Sequence, residues 1–308
     1  MLRKLQGVLP IVHTPFTDDD EIDEAALARE VDYVFAAGAQ GFGTGMVSEL
    51  LRLTGEERRR LTTLLVESAG GRGPVFAGVS AESTRQAVEL ARDAERAGCD
   101  AVMATPPLSV RLDAAALVEH YRALAEAADV PLIVQDASGY IGQAIPLGVY
   151  VELLDRYGAD KILFKPEASP IGPNLSALRD ATQGRARIFE GSGGIHLVDS
   201  FRRGLAGTMP GVDLLDGIVA LWRALQQGDA ADVYRLSFPI SAIVALQLQA
   251  GLDGFLVIEK YLLVKRGIFP NSRRRKPYGW ELDCETAAEV DRLMDCLHEA
   301  LQESRVGA

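Results

Sequence analysis

The stretch KILFKPEASP (161–170) sets a lysine inside an apolar run, follows it with a proline and then with a glutamate. A short run containing Ile162, Leu163 and Phe164 reads as a buried strand. Side chains alternate along a strand, so Lys165 and Glu167 share one face while Phe164 and Pro166 share the other. Proline removes a ladder donor and is tolerated only where pairing ends, which puts Lys165 at the C-terminal end of the strand. A buried ammonium is costly unless it is paired or neutral. The chain otherwise prefers arginine, with six lysines against 26 arginines. From spacing alone two readings of Lys165 stand. It is an amine that must lose its proton to act, which arginine cannot do, or it is half of a Lys165–Glu167 ion pair that closes the strand end.

Seven further runs of this kind occur: GVLPIVH (7–13), GFGTG (41–45), PVFAGV (74–79), DAVMAT (100–105), PLIVQD (131–136), RIFEG (187–191) and GTMPG (207–211). Amphipathic segments with start and stop signals lie between them. Asp23 precedes a segment with Leu27, Val31 and Val34 on one face, and Gly38 stops it. Thr54 and Glu57 form a capping box ahead of Leu61, Leu64 and Leu65, and Gly70-Gly71 ends that helix. Ser83 with Gln86 repeats the device. Eight strands, each followed by a helix, predict an α/β fold of the (β/α)8 TIM-barrel type. A doubly wound sheet is the rival, but no strand is followed by G-x-G-x-x-G, and GFGTGM (41–46) reads as a tight turn. In a barrel the face shared by Lys165 and Glu167 is the interior, at the C-terminal rim where barrel active sites sit. Past residue 212 the strand signals stop, and 214–227, 229–251 and the segments from 256 to 304 read as helical. The expected division is a barrel core over 1–211, then the last barrel helix and a C-terminal helical extension over 212–308. No linker rich in proline, glycine or serine separates them, so the extension is expected to pack on the barrel as one unit.

The 308 residues carry 48% hydrophobic and 24% charged side chains, ordinary for a folded protein. A net charge of -11 and a pI near 5.0 argue against a general nucleic-acid binder. The run Arg273-Arg274-Arg275-Lys276 is the exception and reads as a solvated surface loop. Cys99, Cys284 and Cys296 fit no disulfide or metal spacing, which points to a reducing cytoplasm. The N-terminal apolar run is short and holds a proline, unlike a signal peptide, and no stretch approaches the roughly 18 apolar residues of a membrane span. The four histidines, His13, His120, His196 and His298, form no ligand cluster, so no metal is expected, and no cofactor.

Five stretches in this order carry a family resemblance: HTPFTDDDEID (13–23), GMVSELLRLTGEER (45–58), PLIVQDASG (131–139), ILFKPEAS (162–169) and RGLAGTMPG (203–211). Together they resemble the dihydrodipicolinate synthase / N-acetylneuraminate lyase family over nearly the whole chain, including the C-terminal helices. The resemblance implies a (β/α)8 barrel whose strand-six lysine, by position Lys165, forms a Schiff base with pyruvate or another 2-keto acid. It also implies a homo-oligomer, a dimer or a tetramer. The chain departs from the family pattern in three places. Where members carry G-T-T-G-E it has Gly45-Met46-Val47-Ser48-Glu49, and where they carry Y-N-V-P it has Gln135-Asp136-Ala137-Ser138. After the fourth strand, where a second relay tyrosine is usual, it reads Thr105-Pro106-Pro107-Leu108. The usual tyrosine and threonines of one proton relay are absent together, the mark of a divergent member.

Gln135 can hold a hydroxyl or a water but has no useful pKa for proton transfer. Glu167 is then the nearest ionisable group. This favours a lyase that dehydrates a 2-keto-3-deoxy sugar acid: the Schiff base acidifies C3, Glu167 moves the proton and the C4 hydroxyl leaves as water. A pyruvate-dependent class I aldolase, dihydrodipicolinate synthase-like chemistry included, is the alternative, with Glu167 or Tyr140 as the base on the C4 hydroxyl. A protein that only binds a 2-keto acid is the alternative of another class. The amides of Met46, Val47 and Ser48 and the Ser48 hydroxyl are expected to hold the substrate carboxylate as a nest, unless the stretch is an ordinary turn. Thr14 is expected to bind substrate or the lysine, His13 to line the pocket or to pack, and Glu49 to bond neighbouring turns. Tyr140 stands where many members place a substrate-binding arginine, which argues against a second substrate carboxylate there. Gly191, in FEGSGG (189–194), is expected in a substrate-lining loop.

Overall fold

The computed structural model describes residues 3–306, so positions 1–2 and 307–308 of the expected division lie outside the described residues. Eight parallel strands appear, one in each expected run: β1 (Gly7–Val8), β2 (Phe42–Gly43), β3 (Val75–Gly78), β4 (Ala101–Ala104), β5 (Leu132–Asp136), β6 (Ile162–Pro166), β7 (Phe189–Glu190) and β8 (Gly207–Thr208). They form two ladders, β1-β8-β7 and β2-β3-β4-β5-β6. Single bridges from Ile11 to Gly43 and from Phe164 to Ile188 join the ladders into a closed barrel. Several strands are shorter than the runs that hold them because pairing continues as isolated bonds. Past β1, for example, the Leu9 amide donates to Thr208 O at 2.9 Å and the Ile11 amide to Pro210 O at 2.7 Å.

Alternation sorts the side chains into two cores. Leu9, Phe76, Met103, Ile133, Leu163 and Phe189 fill the barrel interior. Phe164, Val134 and Val102 face outward into the layer between strands and helices. That layer is covered by α1 (Glu24–Ala36), α2 (Gly55–Ala69), α3 (Thr84–Ala97), α4 (Ala114–Ala127), α5 (Leu147–Tyr157), α6 (Ile171–Ala181), α7 (Leu197–Arg202) and α8 (Leu215–Gln227). The caps read from sequence form. Asp23 accepts from the Ala26 amide, Thr54 and Glu57 close a reciprocal box, Ser83 accepts from the Gln86 amide, and Gly70 ends α2 in the left-handed region at φ 54°.

Three more helices follow: α9 (Ala230–Leu248), α10 (Gly251–Lys265) and α11 (Cys284–Val306). The helical reading of 256–304 is corrected in its middle, where the chain between α10 and α11 is irregular and carries the basic run. That run is a solvated loop only in part: Arg273 and Lys276 are exposed as expected, whereas Arg274 and Arg275 are largely covered. The Arg274 side chain is 2% exposed, stacks on Tyr278, and donates to Trp280 O and Glu281. Arg275 lies over the Phe16 ring and pairs with Glu57 and Asp20. Acidic and aromatic partners inside the same chain capture these arginines, which sequence spacing alone does not show. No helix is long and apolar enough to cross a membrane among the described residues. α10 lies across the turn Met46–Ser48, which brings the C-terminal extension to the rim where β6 ends.

Candidate active site

Gln135 on β5 stands opposite Lys165 on β6, one step above the Ile133–Leu163 pair of the interior core. Both polar residues therefore point into the mouth of the barrel. The Glu167 amide donates to Asp136 O at 2.8 Å, which fixes Glu167 just past the last paired residue. Lys165 and Glu167 are both buried, with Nζ 3.5 Å from Glu167 Oε2. The same oxygen accepts from Gln135 Nε2 at 2.7 Å, and the Tyr140 hydroxyl stands 3.5 Å from each carboxylate oxygen. Among the described residues Lys165 Nζ makes no shorter polar contact, so the amine is not locked into a tight ion pair.

Burial raises the Glu167 pKa, and the opposing pull of the Lys165 charge and the Gln135 hydrogen bond does not restore it. The negative charge of Glu190 adds to the rise. A carboxyl in this state can hold a proton and give it up again, as general acid–base work requires. Tyr140 is different. Burial and the neighbouring Glu167 push its phenol well above the ordinary value of 10, so it stays a hydroxyl donor, and its use as a base on a C4 hydroxyl is disfavoured.

A narrow cavity of about 40 Å³ opens beside Lys165, Glu167 and Tyr140. Gly191 makes it possible: a Cβ there would lie 2.3 Å from Lys165 Cε and 2.6 Å from Glu167 Oε1. Gly191→Ala is therefore expected to slow capture of a 2-keto acid by Lys165 by about ten- to a hundred-fold, from the 1–3 kcal/mol that overpacking costs. Mass spectrometry of the borohydride-reduced protein over time measures this.

Met46 and Val47 line the same cavity from a 3-10 turn (Met46–Ser48). Neither backbone amide has a partner among the described residues, so both are available to an anion. Ser48 and Thr14 are placed otherwise than expected. The Ser48 amide donates to Gly45 O at 3.1 Å, and its hydroxyl accepts from the Gly45 amide at 3.0 Å and donates to Val12 O at 2.5 Å. Thr14 Oγ1 donates to Ser48 O at 2.6 Å rather than reaching the lysine. Both hydroxyls brace the turn from behind, because a buried hydroxyl takes whatever backbone partner is near. Glu49 is structural as expected: it accepts from Lys260 Nζ at 2.5 Å and from the Arg275 amide at 2.8 Å.

The far wall comes from the C-terminal extension, through Leu252, Phe255 and Glu259 of α10. Glu259 Oε2 lies 2.6 Å from His13 Nε2, and His13 Nδ1 lies 2.9 Å from Glu30 Oε1. His13, fully buried, thus supports a lining residue instead of lining the cavity. Burial alone would lower its pKa, but hydrogen bonds to Glu259 and Glu30 outweigh burial and hold it at about 10, above the ordinary 6.5. A histidine raised in the folded state stabilises fully below about pH 6.5 and loses that contribution as pH climbs toward 10. His13→Gln is expected to cost about 3–5 kcal/mol at neutral pH by stranding two buried carboxylates. It should also flatten the fall in stability between pH 6.5 and 10, which urea unfolding at stepped pH measures. The sequence reading does not find Glu259. Its one signal is the charged pair Glu259-Lys260 inside the apolar run 256–264. Glu190 is also new. Buried, it accepts from the Ser192 amide and from Thr208 Oγ1, shaping the loop that carries Gly191. Among the described residues no group of His, Cys, Asp and Glu side chains has an arrangement that could hold a metal ion.

The closed barrel is matched among known proteins. The model of the dihydrodipicolinate synthetase family covers residues 4–293. The chain belongs to that family. An L-2-keto-3-deoxyarabonate dehydratase of Azospirillum brasilense is 30% identical over 292 residues, 92% of each chain. A 4-hydroxy-tetrahydrodipicolinate synthase of Methanothermobacter thermautotrophicus is 36% identical over 177 residues, which are 57% of this chain and 62% of that enzyme. The solved dihydrodipicolinate synthase of Rhodopseudomonas palustris superposes with a TM-score of 0.86 at 27% identity, covering 96% of this chain and 100% of the other. This member of the dihydrodipicolinate synthetase family is an enzyme, a lyase.

Proposed function

We propose that the enzyme dehydrates a 2-keto-3-deoxy sugar acid through a Schiff base on Lys165, with Glu167 as the proton carrier. The Lys165 amine attacks the C2 carbonyl carbon, and the resulting carbinolamine loses water, aided by a proton from Glu167. The iminium draws electrons from C3, and the Glu167 carboxylate takes the C3 proton to leave an enamine. The enamine pushes out the C4 hydroxyl, which takes the proton back from Glu167 and departs as water. A C3–C4 double bond remains, and hydrolysis of the iminium frees the product and restores the amine. In this reading the amides of Met46 and Val47, which line the cavity, hold the substrate carboxylate, and Gln135 orients Glu167.

One observation carries this reading: the titratable group beside Lys165 is Glu167, and the position facing the lysine across the ladder is an amide. A single carboxyl that both removes and returns a proton suffices for elimination of water. The Azospirillum relative, whose name states a dehydratase activity, supports the same reading. The test is incubation with 2-keto-3-deoxypentonates and hexonates, followed by product mass. A product lighter by one water, with its carbon skeleton intact, is expected. Release of free pyruvate and an aldehyde would instead make the enzyme an aldolase, and binding without turnover across the panel would make it a sensor.

A further inference from the structure

Glu259 stands apart from the reaction just described, yet it lines the same cavity, reached from a helix outside the barrel. Its Oε2 is taken by His13 at 2.6 Å. Its Oε1 has no hydrogen-bond partner among the described residues, and it faces the loop after β8: a Cβ on Gly211 would lie 2.6 Å from it. The same hypothetical Cβ would lie 2.7 Å from Asp213 Oδ1, so Gly211 lets two carboxyls approach one wall. Asp213 accepts from Gln247 Nε2 at 2.7 Å. Burial, and then the charge of Glu259, raise its pKa to about 7.

A carboxylate brought to a cavity wall and held by a fully buried histidine, itself held by Glu30, is an acceptor fixed in place before any ligand arrives. Buried polar groups that meet only an apolar neighbour are costly, so a site with an open acceptor rejects ligands that lack a donor. It also repels ligands that bring a second negative charge: among the described residues Lys165 is the one cation in the lining, and His13 behind the wall is already shared by Glu259 and Glu30.

We propose that Glu259 selects the tail of the substrate: its Oε1 accepts a hydrogen bond from a hydroxyl beyond C4, and its charge excludes 2-keto acids that carry a second carboxylate. The substrate class narrows to 2-keto acids with a neutral, hydroxylated tail. This rests on the Schiff-base reading of Lys165, and Glu259 takes no part in bond making.

The experiment compares half-saturation for a 2-keto-3-deoxy sugar acid with that for pyruvate, the latter read as borohydride-trapped adduct on Lys165. In Glu259→Gln the ratio of the two is expected to rise ten-fold or more, and competition by 2-ketoglutarate against pyruvate trapping to strengthen by a similar factor. Should the glutamine variant fail to fold, Glu259→Asp keeps the charge beside His13 but withdraws the oxygen by one methylene. It should raise the same ratio while still excluding 2-ketoglutarate. A ratio within two-fold of wild type in a folded variant, with pyruvate trapping intact, overturns the role of Glu259 alone. No adduct in the wild type overturns the Lys165 reading, and this one with it.

Discussion

Lys165→Ala is expected to abolish covalent capture of pyruvate and to lower turnover by at least about 10⁴-fold, the scale on which a lost covalent nucleophile is felt. The size of the effect follows from the surroundings. Gln135 and Tyr140 offer a carboxamide and a phenol held protonated by burial, and neither can replace an amine at C2. The cut removes a long chain but leaves a tolerable core. Ile133 and Leu163 below are unchanged, and Glu167 keeps the bond it accepts from Gln135 and the one its amide donates to Asp136 O. Loss of activity in a folded variant therefore separates chemistry from stability. An adduct of unchanged mass in Lys165→Ala would place the nucleophile elsewhere and remove the reason for the rest of the mechanism.

Glu167→Gln should split the reaction. The amide preserves the shape, and its oxygen can still accept from Gln135, so the Schiff base should form, more slowly but to completion. Without a group able to shuttle the C3 proton, dehydration is expected to fall by about 10²–10⁴-fold, the usual weight of general acid–base catalysis. The clean readout is exchange at C3 in deuterated water, with pyruvate as the ligand. Wild type should wash deuterium into the methyl group, and the variant should hold its adduct with little exchange. Exchange within a few-fold of wild type would assign the proton to another group.

The fold was legible because its signals are local. Eight apolar runs, the capping residues Asp23, Thr54 and Ser83, and the turn glycine Gly70 act over a few residues, and each element formed where those patterns stood. The inner half of the site was legible for a similar reason, since alternation alone puts Lys165 and Glu167 on one face. What sequence could not show depends on distance through space. Thr14 and Ser48 looked like ligand-facing hydroxyls because nothing local reveals that Ser48 O and Val12 O sit behind the turn to receive them. The arginines at 274 and 275 looked solvated because Tyr278 lies around a bend and Phe16 and Glu57 lie more than 200 residues away. Glu259 is missed altogether, because its partner His13 lies 246 positions away.

The His13–Glu259 contact, and the bond from Lys260 to Thr14 O beside it, each join residues 246 positions apart. During synthesis His13 can meet Glu30, only 17 positions on, but must wait for its second carboxylate until α10 has left the ribosome. A nascent chain that already displays the complete lysine strand still lacks one side of its chamber, the side formed by Leu252, Phe255 and Glu259. Long-range closure of this kind also slows folding, so the chamber is completed only after its reactive residues have been made.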